Sequence, residues 1–291
     1  MYLLPLDRHH THLPVELYSS IISHLPSPYQ RSTLYTLATS FKALSKVAIR
    51  ELYRSVECGD RHALRLFSRR VVLDEGSRGT KALVKELTLH LGHSEPLEVV
   101  HWMRDALLSL HNLQMLSIRD SEGPPGPTSP VSTIVQMGEQ ARFKLTYISL
   151  KIFFRYNVDF ERFLERHCET LQMLELWDPS PGSPEAVADK PLNNFTAMDA
   201  IAIPGSYIAR FLKHSQPTKI WDIDGSLKYH EIPTGDRRKV TSFRGCKCSS
   251  IDQFTLNTFG PSLRYLRLQV EIDKEVMISI GDVLPLVTCI S

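Results

Sequence analysis

The chain has 291 residues, 42% hydrophobic and 23% charged, with 34 Lys and Arg against 32 Asp and Glu and a net charge of +2. Such usage is that of an ordinary globular protein and excludes disordered, collagen-like and membrane-embedded classes. The near balance of charge supplies no long-range field to gather nucleic acid or an anionic membrane, so neither is expected as a partner. Five scattered cysteines (Cys58, Cys168, Cys246, Cys248, Cys289) are an odd number in a chain too large to depend on disulfides, and they read as reduced thiols of a cytoplasmic or nuclear protein. MYLLPLDRHH lacks a basic start followed by an apolar run, and no stretch of about 18 apolar residues occurs, so no secretory leader or membrane span is expected.

After a tail at 1–12, LPVELYSSIISHLP places Leu13, Leu17, Ile21 and Leu25 four residues apart, with Ile22 beside them. That row is one stripe of an amphipathic helix. Pro14 suits its first turn, Glu16 complements the positive end of the dipole, and Pro26 and Pro28 are expected to end it. A second helix is predicted over Gln30 to Thr39, carrying Leu34, Leu37 and Ala38. A third is predicted over Phe41 to Arg54, carrying Leu44, Val47, Ala48, Leu52 and Tyr53. A module of this size has too little interior to be stable unaided, so its spare apolar face is expected to have a partner.

The two strings LPVELYSSIISHLPSP and LATSFKALSKVAIRELYRSV resemble the F-box, with its Leu-Pro-x-Glu-Leu opening, an Ile four residues on, a Leu-Pro end and a closing Leu-Tyr-Arg. The resemblance implies docking on a Skp-family adaptor and, through it, on a cullin and a RING subunit. It also implies that the adaptor-facing surface is formed by Leu13, Pro14, Glu16, Leu17, Ile21 and Leu25, completed by Phe41, Leu44, Leu52 and Tyr53. Leu17 and Ile21 are also candidates for the interior that a three-helix module needs.

Residues 57–83 read as a linker and cap, with a helix over Ala63 to Val72 and a turn at EGSRG. From residue 84 a degenerate string of Leu-x-x-Leu-x-Leu type recurs, with apolar side chains alternating to one face as in a half-buried strand. The copies are VKELTLHL, LQMLSI, LTYISL, LQMLEL, MDAIAI, TKIWDI, VTSFRG and LRYLRL. Their middle residues fall at 87, 116, 148, 174, 201, 221, 243 and 266, so the steps are 29, 32, 26, 27, 20, 22 and 23 residues. Most sit in or near the range of leucine-rich repeats, which these strings resemble. Helices are predicted between copies at Leu97 to Leu110, Val158 to Cys168 and Ser206 to His214. Pro, Gly and Ser make Arg119 to Ser132 and Asp178 to Pro191 read as loops on one rim. DVLPLVTCIS at the end resembles the start of a further strand.

Chemistry-bearing motifs are sparse. Cys246 and Cys248 are separated by one residue rather than two and lack a second Cys/His pair, while His9, His10 and His12 lie in a polar tail, so no metal is expected. Phosphate-loop, hydrolase and zinc-protease signatures are missing, and the carboxylates are dispersed, so neither a cofactor nor an enzymatic activity is expected.

The expected architecture is therefore α+β or α/β: a small three-helix F-box at 13–56, followed by an irregular leucine-rich-repeat-like solenoid at 84–291 with a strand plus a helix or loop per repeat. The resemblance implies a substrate-recognition subunit of an SCF-type ubiquitin ligase, with an unknown protein as substrate. The alternative is a non-catalytic scaffold whose first helices only cap the repeats.

Overall fold

A computed structural model describes residues 17, 20–22, 24, 27–40, 42–73, 78–92, 95–120, 130–137, 140–181, 194–224, 240–246 and 262–269. The chain divides into two units, Met1–Val56 and Glu57–Ser291. In the first, Leu17 and residues 20–22 are helical and are followed by α1 (Ser27–Ser40) and α2 (Lys42–Arg54). Pro28 lies beyond the described turns of the first helix. It sits in the first turn of α1, where the missing N–H removes no helical bond and φ is already set, so this helix begins three residues earlier than its apolar spacing suggests. α1 packs on α2 around Ile22, Leu34, Val47 and Ala48, with Leu37, Ala38 and Leu52 laid against that cluster.

The second unit is built on a sheet of nine strands: β1 (Ser55–Cys58, whose Glu57 and Cys58 open this unit), β2 (Glu86–Leu91), β3 (Met115–Asp120), β4 (Tyr147–Tyr156), β5 (Met173–Pro181), β6 (Ala200–Ile203), β7 (Lys219–Asp222), β8 (Ser242–Cys246) and β9 (Tyr265–Gln269). Their spatial order is their order in sequence, and every neighbouring pair from β2 to β9 is parallel. One bonding pattern repeats at the strand starts. The N–H groups of Gln114 and Met115 both donate to the Lys85 carbonyl, at 2.8 and 2.9 Å. The same double donation runs from Thr146 and Tyr147 to Gln114, from Gln172 and Met173 to Thr146, and from Asp199 and Ala200 to Gln172. It continues from Thr218 and Lys219 to Asp199, from Thr241 and Ser242 to Thr218, and from Arg264 and Tyr265 to Thr241.

This fixes the register. Leu87, Leu116, Ile148, Leu174, Ile201, Ile220, Phe243 and Leu266 stand opposite one another from β2 to β9. The sixth copy differs from the sequence expectation by one residue: Ile220, not Trp221, takes the middle place. Because side chains alternate, that slip sends Ile220 and Asp222 to the buried face and Trp221 to the other.

The helices of this unit are α3 (Arg61–Leu73), α4 (Arg78–Leu83), α5 (Leu97–Ser109), α6 (Pro130–Met137), α7 (Val158–Glu165) and α8 (Gly205–Leu212). Parallel crossovers are right-handed, and the strand order never reverses among the described strands, so the crossovers whose helices are described return on the same face. Accordingly α3 packs on α5, α5 on α6 and α6 on α7, and α6 and α8 lie against β4 and β6. Asp60 caps α3, accepting from the Ala63 N–H at 2.7 Å, and Asn157 caps α7, accepting from the Phe160 N–H at 3.0 Å.

Two expected loops are shorter than their composition suggests. β3 runs to Asp120 and β5 to Pro181, both as backbone paired in the sheet. α6 begins at Pro130, a residue suited to a first helical position, and buries Val131, Ile134 and Met137.

Two buried polar groups tie the helix layer together. Glu161 on α7 holds Arg210 of α8 at 2.7 and 2.9 Å and accepts from the Tyr156 hydroxyl at 3.2 Å. His167, 3% exposed, accepts at Nδ1 from the Leu145 N–H at 3.2 Å. Burial, reinforced by Lys144 and Arg166, lowers its pKa to about 4, so the ring is neutral at pH 7. Among the described residues no helix is long and apolar enough to cross a membrane.

Candidate functional site

Two surfaces stand out, one on each unit. In the first unit Ile22 is 3% exposed, while Leu17 and Ile21 on the same helical segment are 46% and 53% exposed. Among the described residues of this segment Ile22 enters the interior, and Leu17 and Ile21 point away from it. Tyr35 on α1 and Ile49 on α2 are exposed as well. Leu44, Leu52 and Tyr53 are half-buried, and Leu52 lies against the cluster of Ile22, Leu34, Val47 and Ala48. Leu13, Pro14, Glu16, Leu25 and Phe41 lie outside the described residues.

The second surface is the sheet face opposite the helices. Directly beside the buried Leu87 row runs another register row: Thr88, Ser117, Ser149, Glu175, Ala202, Trp221, Arg244 and Arg267. At its centre Glu175, 5% exposed, accepts from Ser149 Oγ at 2.6 Å, Tyr147 OH at 2.7 Å and Trp177 Nε1 at 2.8 Å, and pairs with Lys151 Nζ at 3.2 Å. Between Leu150 and Phe153 the pairing with β5 shifts, setting Lys151 and Ile152 against Trp177. Such a bulge re-aims side chains locally, and Lys151 Nζ sits 4.7 Å from the centre of the Trp177 ring.

Trp177 on β5 and Trp221 on β7 meet edge to face at 5.1 Å, although β6 runs between their strands. On β6, Ala202 is in register with Trp221 and with Glu175, two residues before Trp177, and its methyl is small enough to let the two indoles touch beside it. Arg244 of β8 lies 4.0 Å from the Trp221 ring centre. The result is a continuous stripe, Lys151, Trp177, Trp221, Arg244, crossing five strands.

Burial alone would raise the pKa of Glu175, but the hydrogen bonds from Ser149, Tyr147, Trp177 and Lys151 outweigh it and hold the carboxyl below its usual value. Burial, together with the bond to Glu175, pushes Tyr147 up to about 12. Glu175 is thus a charged anchor saturated by protein donors, with both groups moved away from the range useful for proton transfer at neutral pH. Its chemistry is positional: it orients the phenol, the indole and the ammonium around it.

Sequence reasoning placed no site on this face. Trp177 and Trp221 are 44 positions apart, and only strand-by-strand register brings them together. The available signal was a Trp two residues beyond a strand glutamate, with a second Trp in the next repeat but one.

Among the described residues no group of three or more His, Cys, Asp or Glu is placed to hold a metal ion. His9, His10, His12 and Cys248 lie outside the described residues. With no reversal of strand order, the crevice in which doubly wound sheets seat nucleotides does not arise among the described strands.

No protein-family model matches the chain. No curated protein sequence matches it significantly. Among solved structures, a chain of the yeast Rad7 and Elc1 complex aligns at 14% identity and a TM-score of 0.36, over 95% of this chain and 87% of that one. At that score the likeness carries no functional argument, and the fold stands on its own geometry as an α/β arrangement with a parallel sheet.

Proposed function

We propose that this chain is a non-catalytic substrate receptor of an SCF-type ubiquitin ligase. Its first unit acts as an F-box that docks on a Skp-family adaptor and thereby on a cullin and a RING subunit. Its second unit acts as a leucine-rich-repeat-like solenoid that holds a protein target. One observation carries the adaptor half: Leu17 and Ile21 are exposed on a segment whose neighbour Ile22 fills the core. Exposed aliphatic side chains on so small a helical unit are costly unless a partner covers them. For the repeat half, the support is the double hydrogen bond that recurs at the strand starts, which gives each strand from β3 to β9 the same start as the last.

The test is co-elution of the purified chain with a purified Skp-family adaptor in size-exclusion chromatography. Wild type is expected to co-elute, and Leu17→Asp with Ile21→Asp is expected to lose the adaptor while keeping its helical circular dichroism. Failure of wild type to co-elute would leave the scaffold reading, in which these helices only cap the repeats.

A further inference from the structure

We infer that the aromatic stripe on the open sheet face binds an extended acidic segment of a protein, one that carries an apolar or aromatic residue near its middle. The inference rests on the proposed role of the second unit as the target-holding part and names the class of target.

The stripe has an order. Reading across the sheet, Arg119 of β3 and Lys151 of β4 come first, then the Trp177 and Trp221 pair, then Arg244 of β8 and Arg267 of β9. Cations flank a central pair of indoles. Neighbouring strands lie about 4.8 Å apart, so the six steps from β3 to β9 span about 29 Å, the length of about nine residues of extended chain. A segment of that length laid across the strands would meet positive charge near both ends and indole in the middle.

Charge complementarity selects the occupant. The anion built into the stripe, Glu175, is buried and committed to its four donors. Lys219, on the same face, is paired with Asp199 at 2.8 Å, and His90 with Glu57 at 3.0 Å. Arg119, Arg244 and Arg267 have no carboxylate partner among the described residues, and Arg244 is held by the Trp221 ring instead. Their guanidinium groups are forks suited to bidentate carboxylate contact. Trp177 keeps 38% of its surface exposed even with Lys151 and Trp221 against it, leaving apolar area for a side chain to cover. The whole chain carries only +2, so the attraction is local to the stripe and not a general affinity for polyanions.

The experiment uses the full chain and a fluorescein-labelled peptide of about ten residues, all Asp and Glu apart from one central Phe, followed by anisotropy. The acidic peptide is expected to bind, more weakly as salt rises, and its amide counterpart of Asn and Gln to bind at least about tenfold more weakly. Arg244→Gln with Arg267→Gln, and separately Trp177→Ala, are each expected to weaken binding by about tenfold with circular dichroism unchanged. Because the amide peptide needs no change to the protein, the result does not hinge on whether a variant folds. Equal binding of the acidic and amide peptides, or tighter binding of oligothymidine than of the acidic peptide, would overturn the inference. Adaptor co-elution is measured on the same samples. Co-elution without peptide binding sinks this inference alone, whereas peptide binding without co-elution sinks the adaptor reading and leaves the stripe assignment standing.

Discussion

The two faces of the parallel sheet are made by the same strands in the same register, yet they carry opposite chemistry. One residue apart, Leu174 is fully buried in an aliphatic row and Glu175 anchors a stripe of Tyr147, Lys151, Trp177, Trp221 and Arg244. Strand alternation separates the groups that hold the fold from the groups free to recognise something, so each set can be altered with limited effect on the other.

The largest expected effect is on the covered face. Leu174→Ala removes a side chain that is 0% exposed and is expected to cost about 2–5 kcal/mol in urea unfolding, whereas Trp177→Ala on the open face is expected to cost far less. Equal losses from the two changes would show that the open face is as structural as the buried one.

Next comes a pH effect confined to the helix side. His167 titrates near 6.5 when unfolded and at about 4 when folded, so its contribution is present above pH 6.5 and is lost as pH falls toward 4. The loss, up to about 3 kcal/mol by that linkage, is flat below pH 4. His167→Gln keeps an acceptor for the Leu145 N–H and is expected to remove that part of the slope in urea midpoints measured from pH 7 to 4. An unchanged slope would place the titrating group elsewhere.

The smallest expected effect is Ala202→Leu. The added side chain, opposite Trp221 and one register row from Trp177, crowds their contact, and because both rings reach the surface they can swing outward, limiting the cost to about 1 kcal/mol. The edge-to-face contact is expected to be lost, read as loss of the coupled indole signal in circular dichroism. Retention of that signal would mean the indoles do not meet over β6.

Much of the fold was legible because Leu and Ile at alternate positions mark strands whichever partner they find. Leu87, Leu116, Ile148, Leu174, Ile201, Phe243 and Leu266 take the row that periodicity assigns them. TKIWDI defeated the reading because Ile220 and Trp221 are both apolar, and only the bond from the Thr218 N–H to the Asp199 carbonyl decides which faces inward. The segment PVSTIVQM was hidden by the Pro, Gly and Ser before it, although Pro130 opens a helix rather than preventing one. β1 was too short to show a period. The stripe was illegible for another reason: a contact between Trp177 and Trp221 depends on an alanine on an intervening strand and on a bulge at Lys151, and neither leaves a pattern within its own segment.

The most direct test of the two-surface account is amide hydrogen exchange of the full chain with and without a Skp-family adaptor. Strong new protection is expected around Leu17 to Ile22, and none in β4, β5, β7 and β8. Protection in those strands, or none around Leu17 to Ile22, would contradict the division of labour between the helical unit and the open face of the sheet.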